Sequence, residues 1–286
     1  MTRVMSETHQ ELEVGNGLLR CCDEGTGPAV VLIHGWTLDL DMWEPQARQL
    51  RDWFRIIRYD RRGFGLSSGR PALADDVTDV LAICERLHLK SIALVGMSQG
   101  ARVAAQFTAR YPQLVSCVIF DGAPAGTVLE NEMPENDIPI ARYRELARAG
   151  SLSAFREEWR RHPLTQLRTN DPSSHELLRR ILERYRAEDL TAEEAQAPLP
   201  PLKAEAIRAP ALVISGVLEP EYRLRAAEML ARALPSSERA IIPEAAHFAN
   251  LDNPHAYNTL LRRFLERYAG NQAPADAGAA GLKQKS

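Results

Sequence analysis

The sequence predicts an α/β fold: a mostly parallel central sheet with an inserted helical segment. Three observations carry this. Between residues 29 and 121, short apolar runs rich in β-branched residues alternate with stretches of helical pattern. The runs are apolar at successive positions, as in strands covered on both faces. The alternation breaks after Asp121 and resumes at Ala211, which marks the insertion.

The chain has 286 residues, enough for one large core carrying an insertion. Its formal net charge of −3 leaves no basic footprint for nucleic acid and no polybasic segment for an anionic membrane, so a small-molecule partner is expected. The composition does not set the oligomeric state. The four cysteines, Cys21, Cys22, Cys84 and Cys117, have neither C-x-x-C nor zinc spacing and read as reduced thiols. Residues 1–10 are polar with no apolar signal core, and no later run is long enough to span a bilayer. The expected location is cytoplasmic.

The elements follow in order. Residues 10–23 form two strand-like pieces around Gly15-Asn16-Gly17, a turn that tolerates positive φ, so the chain opens with a hairpin. Ala29–Ile33 is a buried strand ending in His34-Gly35-Trp36-Thr37. Residues 42–53 read as a helix, 54–59 as a strand, and Asp60-Arg61-Arg62-Gly63-Phe64-Gly65-Leu66-Ser67 as a glycine-rich loop. A helix at 75–87, a strand at 91–95, a helix at 101–110 and a strand at 115–120 complete the first half, and right-handed crossovers make the sheet parallel.

In the insertion, residues 126–139 read as a loop, followed by helices at 140–149, 152–161 and 173–187. Arg179 with Glu183 and Arg184 with Glu188 stand four residues apart and read as solvated pairs supporting helicity. Leu152, Phe155 and Trp159 form an apolar stripe at helical spacing that faces the core. After Pro198-Leu199-Pro200-Pro201, a strand at 211–215, a helix at 222–233, a strand at 239–242 and a helix at 255–268 follow. The division expected is a core of residues 1–122 and 208–269, an insertion of 123–207, and a disordered tail of 270–286.

The chemistry centres on Gly96-Met97-Ser98-Gln99-Gly100, where an apolar strand turns abruptly into a helix. Holding a serine in a strained turn with its hydroxyl thrust outward leaves little room two residues either side, which explains Gly96 and Gly100. A serine hydroxyl is a weak nucleophile at neutral pH and needs an imidazole to take its proton. His247 is the candidate, because it follows a strand and precedes a helix at the carboxyl edge of the sheet. His9, His88, His162 and His175 lie in a terminus or on polar helices, and His255 beside the last helix.

These segments, with Gly216-Val217-Leu218-Glu219-Pro220 and Ala246-His247-Phe248, resemble the α/β-hydrolase superfamily from about residue 18 to 265, and within it the enol-lactonase and small-esterase branch. The resemblance implies a nucleophile, acid and histidine in that chain order, an oxyanion hole made by the backbone N–H groups of Trp36 and Gln99, a structural His34, and a helical cap formed by the insertion. The acid is Glu219 where the commoner pattern has aspartate, or Asp121 at the end of an earlier strand. The Asp60 loop would brace the oxyanion loop without a catalytic role. Trp36, Met97 and Trp159 are the candidate substrate contacts, with the Trp36 and Gln99 side chains free to shape the pocket. The function implied is a cofactor-independent and metal-free serine hydrolase of carboxylic esters or lactones. A carbon–carbon bond hydrolase with the same triad, or a non-catalytic ligand-binding member of the fold, is the alternative.

Overall fold

In a computed structural model, which describes residues 9–15, 17–122, 138–193, 197 and 199–270, the chain opens as a hairpin of β1 (His9–Val14) and β2 (Gly17–Glu24). Six further strands are β3 (Ala29–Ile33), β4 (Arg55–Tyr59), β5 (Ile92–Met97), β6 (Val115–Asp121), β7 (Ala211–Gly216) and β8 (Ser237–Ile242). All eight join one sheet in the order β1-β2-β4-β3-β5-β6-β7-β8. The hairpin runs antiparallel to its neighbours, and every pair from β4 to β8 is parallel. Parallel pairing brings the carboxyl ends of β3, β5, β6, β7 and β8 to one edge, where their following loops meet.

The all-apolar strands are explained by two cores. Val30 and Leu32 of β3 point into one, Val31 and Ile33 into the other. The first is closed by α1 (Glu44–Leu50) and α10 (Pro254–Tyr268), the second by α2 (Leu73–Arg86), α3 (Gln99–Arg110) and α8 (Glu221–Ala233). A side-chain period of two sends alternate residues of each strand to opposite faces, so a strand covered on both has no polar position to spare.

Between β6 and β7 lie α4 (Ile140–Arg148), α5 (Leu152–Arg161), α6 (Pro172–Arg184) and α7 (Glu188–Thr191). Their apolar residues, including Tyr143, Phe155 and Trp159, merge with the first core, as does Tyr185 just beyond α6. The loop expected at 126–139 falls, but for its last residues, outside the described residues, as does the tail beyond residue 270.

Three local expectations are corrected. The helix read at 42–53 is a 3₁₀ turn, Leu40–Trp43, followed by the short α1 with Pro45 in its first turn. The helix read at 173–187 ends at Arg184, since Tyr185 is extended at φ −62 and ψ 124. Arg184 therefore does not pair with Glu188: it binds Asp39 and Asp41 at 2.6 Å each, while Glu188 pairs with Arg186. Arg179 and Glu183 do pair, at 2.6 Å. The third is an unforeseen turn of helix, α9 (Ala249–Asp252), just after His247.

The four cysteines are buried thiols without disulfides, and burial pushes Cys84 and Cys117 up to about 12. Among the described residues no helix is long and apolar enough to cross a membrane.

Candidate active site

Ser98 stands between β5 and α3 at φ 50 and ψ −115, a backbone region that costs a serine about 1–3 kcal/mol and persists only where the surroundings enforce it. The surroundings are visible. The Ser98 N–H donates to the Asp121 carbonyl at 2.8 Å, tying the turn to the neighbouring strand. A Cβ on Gly96 would lie 2.4 Å from the carbonyl oxygen of Gly100, and one on Gly100 would lie 2.5 Å from that of Ile33. Both glycines are thus required by backbone approach.

His247 lies in the loop between β8 and α9, and Glu219 in the loop after β7. The two loops touch closely: a Cβ on Gly216 would lie 2.2 Å from the Ala246 carbonyl oxygen. This approach places Nδ1 of His247 2.9 Å from Oε1 of Glu219, with both residues 5 % exposed. Asp121, the other candidate acid, is placed differently. Its Oδ2 accepts from the Tyr257 hydroxyl at 3.0 Å, and its Oδ1 has no partner among the described residues. Burial, aided by the charge of Glu219 and opposed by the Tyr257 hydrogen bond, pushes the Asp121 carboxyl up to about 8. That shift favours the neutral carboxyl near pH 7.

The loop after β3 is pinned by His34. Its Nε2 accepts the Arg61 N–H at 2.9 Å and its Nδ1 donates to the Gly35 carbonyl at 2.8 Å. Burial, with the Arg61 charge beside it, holds the His34 imidazole well below the usual range, so the ring is neutral. Asp60 accepts from the N–H groups of Leu40 and Leu66 at 2.7 and 2.8 Å, which holds the two loops together. Gln99 opens α3, so its N–H has no acceptor within the helix. The Trp36 N–H likewise has none among the described residues.

The side chains of Trp36 and Gln99, expected to be free, are both held. Gln99 Oε1 accepts from Arg61 Nη2 at 2.5 Å, and Trp36 Nε1 donates to Asp189 Oδ2 at 2.6 Å. Arg61 is wholly buried and needs acceptors for its fork of donors; Asp76, at 3.1 Å, and Gln99 supply them.

Trp36, Met97 and Trp159 line one pocket together with Ser98 and His247. Leu38, Leu164 and Phe248 also line it and were not foreseen. Leu38 and Phe248 stand within two residues of Trp36 and His247, so chain adjacency could have found them. Leu164 and Asp189 come from the insertion, and nothing local in their sequence marks them. Among the described residues no group of three or more His, Cys, Asp or Glu is placed to hold a metal ion.

Comparison with known proteins gives the same architecture. Residues 28–254 match the family model described as alpha/beta hydrolase fold. The chain is 27 % identical over 256 residues to a putative 2-succinyl-6-hydroxy-2,4-cyclohexadiene-1-carboxylate synthase of Bacillus subtilis, covering 85 % of this chain and 93 % of that one. It is 24 % identical to 3-oxoadipate enol-lactonase 2 of Acinetobacter baylyi, over 84 % of this chain and 90 % of the relative. Among solved structures, a thermophilic esterase from Thermogutta terrifontis superposes with a TM-score of 0.77 at 26 % identity, over 92 % of this chain and all (100 %) of that one.

Proposed function

The chain belongs to the alpha/beta hydrolase family, and on that premise we propose that it is a cofactor-independent serine hydrolase cleaving a carboxylic ester or lactone. The observation that carries this reading is the meeting of Ser98, in its enforced turn, and His247, backed by Glu219, at one cavity. In the proposed reaction the Ser98 hydroxyl attacks the substrate carbonyl while His247 takes the proton through Nε2. Glu219 holds the opposite nitrogen, fixing the tautomer and favouring the imidazolium that forms. The backbone N–H groups of Trp36 and Gln99 receive the oxyanion, a task for which donors without other acceptors are suited. His247 returns the proton to the leaving alcohol, and a water activated by the same imidazole releases the acid from Ser98.

The lining supports an uncharged acyl group: apart from Ser98 and His247, the lining residues among those described are apolar. The helical insertion is read as the cap over this pocket.

The test is a panel of p-nitrophenyl esters, γ- and δ-lactones and β-diketones, run beside a fluorophosphonate probe with peptide mapping. Ester or lactone turnover is expected, with the probe on Ser98 and no labelling of Ser98→Ala. Turnover of β-diketones alone would move the reading to carbon–carbon bond hydrolysis. No labelling and no turnover of any class would leave a ligand-binding protein.

A further inference from the structure

Two consecutive residues of the loop after β3 are each held by a side chain from the helical insertion. Asp189 of α7 accepts the indole N–H of Trp36 at 2.6 Å, and Trp159 of α5 donates its own indole N–H to Oγ1 of Thr37 at 2.8 Å. Thr37 stands at φ 62, a region that a β-branched residue occupies only under constraint, so the loop's shape is imposed from outside. The other oxygen of Asp189 accepts from the Tyr185 hydroxyl at 2.5 Å. No Lys or Arg among the described residues forms an ion pair with Asp189. Two neutral donors thus satisfy both oxygens of the half-buried Asp189 carboxyl, and hydrogen bonds to a carboxylate are short and directional.

The hold extends to the other side of Trp36. The Tyr185 ring stacks on Phe64 with centroids 5.9 Å apart, and Phe64 meets His34 edge-on at 5.4 Å. The Trp36 ring itself packs against Trp159 at 4.9 Å and Tyr185 at 6.1 Å. Every side chain that fixes the Trp36 ring in these contacts comes from the insertion.

We propose that Asp189, with Trp159 beside it, is a positioning residue of the oxyanion hole: by gripping the indole of Trp36 it sets the direction of that residue's backbone N–H, so the insertion completes the site as well as covering it. This rests on the reading of the Trp36 N–H as an oxyanion donor. A donor aimed at the oxyanion stabilises charge that exists only in the transition state, so its misplacement lowers kcat and leaves KM nearly untouched.

The experiment compares Asp189→Ala, Asp189→Asn, Trp36→Phe, Tyr185→Phe and the double variant of Asp189→Ala with Trp36→Phe. On a neutral aryl ester, Asp189→Ala and Trp36→Phe are each expected to lose about 10- to 100-fold in kcat with KM within about threefold, the scale of an ångström-sized misplacement or a weakened oxyanion donor. The double variant should lose no more than either single one, because one link is being cut twice. Tyr185→Phe, which spares the Trp36 bond, should lose less than about threefold. Undiminished kcat in Asp189→Ala, or losses that multiply in the double variant, would overturn the proposal.

A second readout is independent of turnover. The indole ¹H–¹⁵N resonance of Trp36, assigned by its loss in Trp36→Phe, should move upfield in Asp189→Asn, and the Trp36 backbone amide should exchange faster. An unmoved resonance with unchanged exchange overturns the link. Should the wild type turn over no ester at all, the hydrolase reading fails, and these spectra still decide whether Asp189 holds the loop. Asp189→Asn, nearly isosteric, carries the test if the alanine variant fails to fold.

Discussion

Nδ1 of His247 and Oε1 of Glu219 lie 2.9 Å apart at the carboxyl edge of the sheet, both buried. Asp121, on the adjoining strand, instead takes its hydrogen bond from Tyr257. The geometry favours Glu219 as the group that orients the imidazole. Glu219→Gln is expected to cost on the order of 10³ or more in kcat/KM, as loss of the triad acid does elsewhere, and Asp121→Asn less than about tenfold. Steady-state kinetics on p-nitrophenyl acetate decide it, and the reverse order of losses would hand the role to Asp121.

The turn at Ser98 makes a contrast between glycines. A methyl group on Gly100 would meet the backbone oxygens of Ile33 and His34 at 2.5 and 2.7 Å, which cannot retreat without moving the sheet. One on Gly35 would meet Met97 Sδ at 2.6 Å, the movable part of a flexible side chain. Gly100→Ala should therefore destabilise by about 3 kcal/mol or more and Gly35→Ala by about 1 kcal/mol. Urea denaturation followed by circular dichroism measures both, and equal losses would contradict the backbone argument.

The cavity makes a prediction about charge. An acyl carboxylate bound there would be desolvated beside apolar walls with no Lys or Arg among the described lining residues to pair with. p-Nitrophenyl butyrate should be cleaved with a kcat/KM at least about 100-fold above that of the p-nitrophenyl monoester of succinic acid, a difference of about 2.7 kcal/mol. Comparable rates for the two would show that a cation reaches the acyl site.

The protonated state of Asp121 has a signature in stability. Its folded-state carboxyl is raised to about 8, above the value near 3.9 of an unfolded aspartate, so the folded protein holds a proton that the unfolded chain releases. Stability contributed in this way is complete below about pH 4, declines as pH rises towards 8, and levels off beyond. Asp39 and Asp76, each pushed up to about 7 chiefly by burial, act in the same direction in any variant that keeps them. Asp121→Asn removes one contribution, so its urea midpoint should rise relative to wild type between pH 5 and 8.5. A difference that does not change with pH would mean that Asp121 is ionised in the folded protein.

Much of the fold was legible because the relevant signals are local. The buried strands announce themselves through unbroken apolar runs, and the Ser98 turn through glycines whose absence of Cβ is a steric requirement. The site was legible as far as each residue sat at a strand's end. What failed had the opposite character. Arg184 and Glu188 were paired by spacing, yet the helix stops at Arg184 and the guanidinium crosses to Asp39 and Asp41. Spacing describes neighbours only while the helix lasts.

The sequence by itself determined the alternating sheet and the strained serine, because backbone sterics and burial are read residue by residue, and its resemblance to the α/β-hydrolases implied the order of the candidate acid and base. The tertiary structure alone decided which carboxylate meets His247, that Gln99 and Trp36 are held by Arg61 and Asp189, and that the insertion grips the loop after β3. Those contacts join residues 28 to 153 positions apart, where a hydrogen bond depends on ångström-scale placement of whole elements and no local pattern encodes it.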